Sequence, residues 1–160
     1  MALWQFKFYL VPTERIDDRT EVTIEEFEDD NWWADRQPSN CLDECSHILP
    51  PMESWHDDLS CFGTDAGNKI EVWREKSDIR TVQARIDCRD IDAGYVQSIL
   101  TLASIWRASL LCHRYQKVLP TDLESLLQSI GSSPNLQFML DPKKWLPKLA
   151  DEVARKENDT

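Results

Sequence analysis

Residues 3 to 11 alternate between faces: Trp4, Phe6, Phe8 and Leu10 fall on one side and Gln5, Lys7 and Tyr9 on the other. That is the period of a half-buried strand. After Pro12, Thr23 is placed to cap a helix through the run from Ile24 to Trp33, with Glu26 three residues on completing a capping box. Residues 36 to 54 hold three prolines among many polar residues and read as a long connection with a turn of helix at Cys41 to His47. The strongest local pattern is Leu59 to Cys88. There the turn-rich Gly63-Thr-Asp-Ala-Gly67-Asn68 separates Leu59-Ser-Cys-Phe from a strand with Ile70 and Val72 on one face and Trp73 on the other. A second turn at Lys76 to Asp78 leads to Ile79 to Cys88, where Val82, Ala84, Ile86 and Cys88 alternate with Gln83, Arg85 and Asp87. Two hairpins in sequence make an antiparallel meander.

The period then changes to that of a helix. Asp92 is an N-cap for Ala93 to Arg107, whose Val96, Leu100, Ala103 and Trp106 share one face, widened by Ile99, Leu102 and Ile105. Leu110-Leu-Cys and Lys117-Val-Leu flank a polar turn and predict a last small hairpin. Pro120 and Asp122 open a helix through Ile130 that Gly131 ends, and residues 135 to 155 are helical again with a break at Asp141-Pro142. The expected fold is α+β: an antiparallel β-meander of about four to five strands packed on a C-terminal helical layer. Residues 1–155 form one domain and 156–160 a frayed tail.

Composition adds a class. The 160 residues are 41% hydrophobic, with seven Trp, enough to build one packed interior despite 29% charged residues. There is neither an apolar run of membrane-spanning length nor a basic leader with a cleavage site, and the five cysteines are odd in number. The expectation is a cytoplasmic protein with free thiols.

Charge changes the picture most. Residues 14 to 58 hold fifteen acids against three bases, a net of −12, while the whole chain carries −11; the remainder is therefore +1. Between those carboxylates lie Phe27, Trp32, Trp33 and Trp55. Acidic groups around tryptophan steer a cationic protein partner and supply apolar anchors. The expected partner-binding residues are Glu25, Glu26, Glu28, Asp29, Asp30, Trp32, Trp33, Asp35, Trp55, Asp57 and Asp58. Burial of one or two of the tryptophans against the sheet is the structural alternative. The sign of the patch argues against direct contact with nucleic acid.

Candidate chemistry is sparse. With four glycines the chain has no phosphate-cradling loop and no nucleophile elbow. Cys41, Cys45, His47, His56 and Cys61 are five soft or borderline ligands within a short stretch, but their spacing fits no usual zinc knuckle, and buried thiols with loop histidines are the plainer account. No cofactor, metal or catalytic residue is expected. The alternative is a small-molecule or metal-binding enzyme using the His47, His56 and Cys61 region.

Leu49-Pro-Pro-Met-Glu-Ser-Trp55, the Gly63 and Gly67-Asn68 turn, Ala84-Arg-Ile-Asp-Cys-Arg89, the opening Trp4-Gln-Phe-Lys-Phe-Tyr-Leu-Val-Pro12 and the late Asp141-Pro142 together resemble a widespread group of small bacterial proteins known mainly from genome sequences. That resemblance carries no catalytic residue with it. By type, in size, acidity and lack of catalytic signatures, the chain resembles bacterial immunity proteins, which bind and neutralise a toxin domain. The second resemblance implies a cognate basic toxin such as a nuclease, occluded by residues 14 to 58.

Overall fold

The computed structural model describes residues 2–28 and 31–158, and only the backbone of residues 28, 148, 149, 152, 153 and 156–158. In chain order the elements are β1 (Gln5–Pro12), α1 (Ile24–Glu28), α2 (Cys41–Ile48), β2 (Pro51–Met52), β3 (Leu59–Gly63), β4 (Lys69–Glu75) and β5 (Asp78–Asp87). Then follow α3 (Ala93–Trp106), β6 (Ala108–Cys112), β7 (Lys117–Leu119), α4 (Leu123–Gly131), α5 (Pro134–Leu140) and α6 (Pro142–Asn158).

All the named strands join one antiparallel sheet in the order β2-β3-β4-β5-β1-β6-β7. The α+β expectation holds, with seven strands where about four to five were expected. The excess arises because the small C-terminal hairpin extends the same sheet and Pro51–Met52 adds a short edge. The chain's first strand lies in the interior, between β5 and β6, pairing Phe8 with Ala84 and Leu10 with Leu110.

Pairing partners of an antiparallel sheet share a face, so two faces can be read from the register. Phe6, Phe8 and Leu10 of β1, Val82, Ala84 and Ile86 of β5, and Ile70 and Val72 of β4 make one apolar face, all of it buried. Helix α3 is packed with this core and buries Val96, Ile99, Leu100, Leu102, Ala103 and Trp106. Each such aliphatic side chain contributes about 1.5–3 kcal/mol relative to exposure. Ile105, expected on the same stripe, is 55% exposed instead; it lies at the edge of the helical face, away from the packed side.

The caps behave as the residues dictate. Asp92 accepts from the Tyr95 amide and Asp122 from the Ser125 amide. Thr23 and Glu26 form the capping box: the Thr23 amide donates to Glu26 at 2.8 Å and the Glu26 amide to the Thr23 hydroxyl at 3.4 Å. Helix α1 is nevertheless shorter than expected, described to Glu28, with Trp32 and Trp33 in a turn beyond it. Gly131 stays inside α4, and Ser132 closes that helix through its hydroxyl on the Gln128 carbonyl. Residues 156–158, expected in a frayed tail, continue α6.

The second face of the sheet is polar and only partly covered. It carries Lys7 and Tyr9 of β1, Thr81, Gln83 and Arg85 of β5, and Lys69, Glu71 and Trp73 of β4. The strap between β1 and α2 folds over one end of it. Trp33 is fully buried, its indole N–H donating to the Leu10 carbonyl at 3.0 Å. Arg36 stacks 5.2 Å from the Trp33 ring, pairs with Glu14, and donates to the carbonyls of Trp106 and Arg107, where the helix dipole of α3 favours a cation. Gln37 pairs with the backbone of Ile79 through both its amide groups. These contacts hold the strap against the sheet.

Candidate functional site

Residues 53–58, between β2 and β3, hold the most exposed tryptophan. The turn is fixed by its own hydrogen bonds: the Ser54 hydroxyl donates to the His56 carbonyl at 2.9 Å, the Asp58 amide to His56 Nδ1 at 3.0 Å, and the Leu59 amide to the His56 carbonyl at 3.1 Å. From β4, the Arg74 amide donates to the Asp58 carbonyl at 2.9 Å and its guanidinium to the Asp57 carbonyl at 3.1 Å. The same His56 Nδ1 that accepts from the Asp58 amide lies 4.0 Å from the Asp58 carboxylate.

Trp55 stands on this turn 76% exposed. Its ring meets Trp73 at 5.5 Å and His56 at 5.6 Å, both edge to face, while His56 and Trp73 are 5.4 Å apart. Glu53 and Asp57 are exposed beside it and Asp58 is half-buried. A rigid turn thus presents a large apolar ring inside a rim of carboxylates.

Trp73 is also one wall of a groove of about 880 Å³ over the polar face of the sheet. Phe27, Asn31 and Trp32 of the strap form the opposite wall, with Tyr9, Thr81 and Gln83 beneath. Arg80 joins the walls, bonding Asn31 on one side and Glu75 on the other. Phe27 packs at 5.6 Å on Tyr9, 4.8 Å on His113 and 5.9 Å on Trp32.

The residues expected to bind a partner divide into groups. Trp55, Asp57 and Asp58 lie together on the exposed turn. Glu25 and Asp35 are exposed on the strap. Glu26 is engaged with Arg19 and with the helix cap; those hydrogen bonds, the guanidinium's first, hold its carboxyl below the usual range. Asp29, Asp30 and the side chain of Glu28 lie outside the described residues. Trp32 and Trp33 correct the expectation: they are 4% and 0% exposed. They cannot act as free anchors, because Trp33 fills the space between the strap and Trp106, and Trp32 lies under the Arg15 guanidinium and against Phe27.

The Cys/His stretch does not converge. Among the described residues no group of three His, Cys, Asp or Glu is placed to hold a metal. His47 and His56 are exposed, whereas Cys41, Cys45 and Cys61 are buried. Cys41 and Cys45, one helical turn apart, are hydrogen-bonded to each other, and that bond with burial pushes the Cys41 thiol up. Burial raises the Cys61 thiol as well. Such thiols are poor nucleophiles and poor ligands. No helix among the described residues is long and apolar enough to cross a membrane.

The groove was not legible in advance, because its residues come from the polar positions of separate strands and a turn, each of which alone reads as solvent-facing. No family model, no curated protein and no solved structure matches this chain.

Proposed function

We propose that the chain is an immunity-type protein that binds and neutralises a cognate bacterial toxin domain, a basic one such as a nuclease, by occluding its surface. The observation that carries this reading is Trp55: a tryptophan 76% exposed on a turn pinned by hydrogen bonds, beside Glu53, Asp57 and Asp58. Covering a ring of that size contributes about 3–4 kcal/mol on association. The turn is already ordered, so little conformational entropy is lost when a partner seats on it. Surrounding carboxylates favour a basic partner and raise its rate of encounter.

The strap has a different part in this proposal from the one its charge suggests. Its tryptophans build the platform, while exposed Asp17, Asp18, Glu21, Glu25 and Asp35 add to the negative field. Buried, unactivated thiols and the scattered Cys/His set favour binding over catalysis.

The test is co-expression with a basic toxin domain, sought first among the genes that neighbour this one. The wild-type chain should restore growth. Trp55→Ala combined with Asp57→Lys should be folded and fail to protect. A domain equally toxic with and without the wild-type chain contradicts the proposal.

A further inference from the structure

A second, smaller pocket of about 200 Å³ opens between β1 and the turn joining β6 to β7. In a chain of net charge −11, its lining contains Lys7, His113 and Arg114 and no carboxylate. None of the three makes a hydrogen bond or salt bridge to a carboxylate among the described residues. Lys69, on the same face, pairs with both Asp65 and Glu71 at 2.8 Å. Arg85 donates to the carbonyls of Thr64, Asp65 and Gly67. Lys7, by contrast, makes no hydrogen bond or ion pair among the described residues although it is half-buried on a central strand. Arg114 has a ring contact with Tyr115 at 5.7 Å, and His113 one with Phe27 at 4.8 Å.

A partly desolvated ammonium without a hydrogen-bonded counter-ion is costly. Burial draws the Lys7 pKa down more than nearby Glu71 raises it, and Arg85 and Lys69 add to the fall. Structural lysines are ordinarily placed in solvent or given a carboxylate. A half-buried one with no hydrogen-bonded carboxylate, next to an arginine and a histidine, has the arrangement of an anion site. The pocket shares Tyr9, Gln83 and His113 with the aromatic groove, so the two depressions adjoin. Their combined size suits a small organic molecule.

We propose that these adjoining depressions bind a low-molecular-weight anion bearing a planar ring, with the acid group against Lys7, His113 and Arg114 and the ring lying in the groove against Tyr9, Phe27 and Trp73. Lys7 and Arg114 supply charge-assisted hydrogen bonds. The aromatic walls supply stacking and edge contacts. The site adjoins the Trp55 turn through Trp73, which meets the Trp55 ring at 5.5 Å, but it does not rest on the immunity reading.

The experiment titrates phenyl phosphate, inorganic phosphate and phenol separately into the full chain, followed by amide NMR. Phenyl phosphate should bind saturably and more tightly than either fragment, moving the amides of Lys7, Tyr9 and His113. Lys7→Met should weaken it at least about tenfold. Arg114→Gln removes a half-buried side chain that makes no hydrogen bond or salt bridge among the described residues; it should also weaken binding and serves if Lys7→Met does not fold. Absence of saturable binding up to about 10 mM, equal binding of phenol, or unchanged affinity in Arg114→Gln would overturn the proposal.

Discussion

Trp33 of the acidic strap and Trp106 at the end of α3 meet edge to face, ring centroids 6.1 Å apart at 79°. This pair decides what residues 14 to 58 are for. The most acidic stretch of the chain is anchored by buried indoles, and its negative charge faces outward from a structural strap. Trp33→Ala should therefore destabilise the fold by about 3–5 kcal/mol, measured by urea unfolding. A loss below about 1 kcal/mol would mean that the strap is not part of the cooperative core.

Glu14 tests the same strap electrostatically. Its hydrogen bond to Arg36, foremost, lowers its pKa from the ordinary 4.5 to about 2. A carboxylate depressed in the folded state contributes stability above its unfolded value and loses it as the pH falls towards the folded value. Here that window runs from about 4.5 down to about 2. Because the Glu14 side chain is 55% exposed, the contribution is small and screened by salt. The clean readout is site-specific: the carboxyl carbon of Glu14 should titrate near 2 in the wild type and return towards 4.5 in Arg36→Met. An ordinary wild-type titration would refute the pairing.

Asn135 ties α5 to the first strand. It is 4% exposed, donates to the carbonyls of Leu3 and Gln5 at 2.9 and 3.0 Å, and accepts from the Tyr115 hydroxyl at 2.7 Å. Asn135→Ala orphans those groups and should cost about 2–3 kcal/mol, with faster amide exchange through α5. Unchanged exchange there would show that α5 is held by other contacts.

The cysteines offer a chemical check. All five are free and buried, and burial, with Asp87 adding to it, pushes the Cys88 thiol up to about 11. Native protein at pH 8 should react with a thiol reagent far more slowly than protein in urea, and a chelator should leave its unfolding midpoint unchanged. Rapid native labelling of one cysteine, or a chelator-induced drop, would revive the reading of the Cys/His stretch as a reactive or metal site.

How far the sequence discloses this molecule varies with the range of the interactions. Local periodicity discloses β1, the β3–β5 meander, the capped helix after Asp92 and the Thr23–Glu26 box, because each depends on neighbours a few residues away. It does not disclose that β1 is inserted between β5 and β6, since the register from Phe6 to Ile86 and from Leu10 to Leu110 is set by distant pairing. Charge density marks residues 14 to 58 as surface, which is right for Glu25 and Asp35 and wrong for Trp32 and Trp33. The reason is specific: Trp33 donates to a carbonyl 23 residues earlier in the chain, a contact no local pattern encodes. Trp55 carries no local signal different from those two, and only the turn that lifts it away from the sheet separates it from them.

The central claim is tested most directly by comparing the affinity of the wild-type chain and Trp55→Ala for the toxin domain used in the co-expression test, by surface plasmon resonance at low and high salt. The account predicts that Trp55→Ala weakens binding at least about thirtyfold through faster dissociation, and that salt slows association of both proteins. An affinity for Trp55→Ala equal to that of the wild type, with association indifferent to salt, would contradict it.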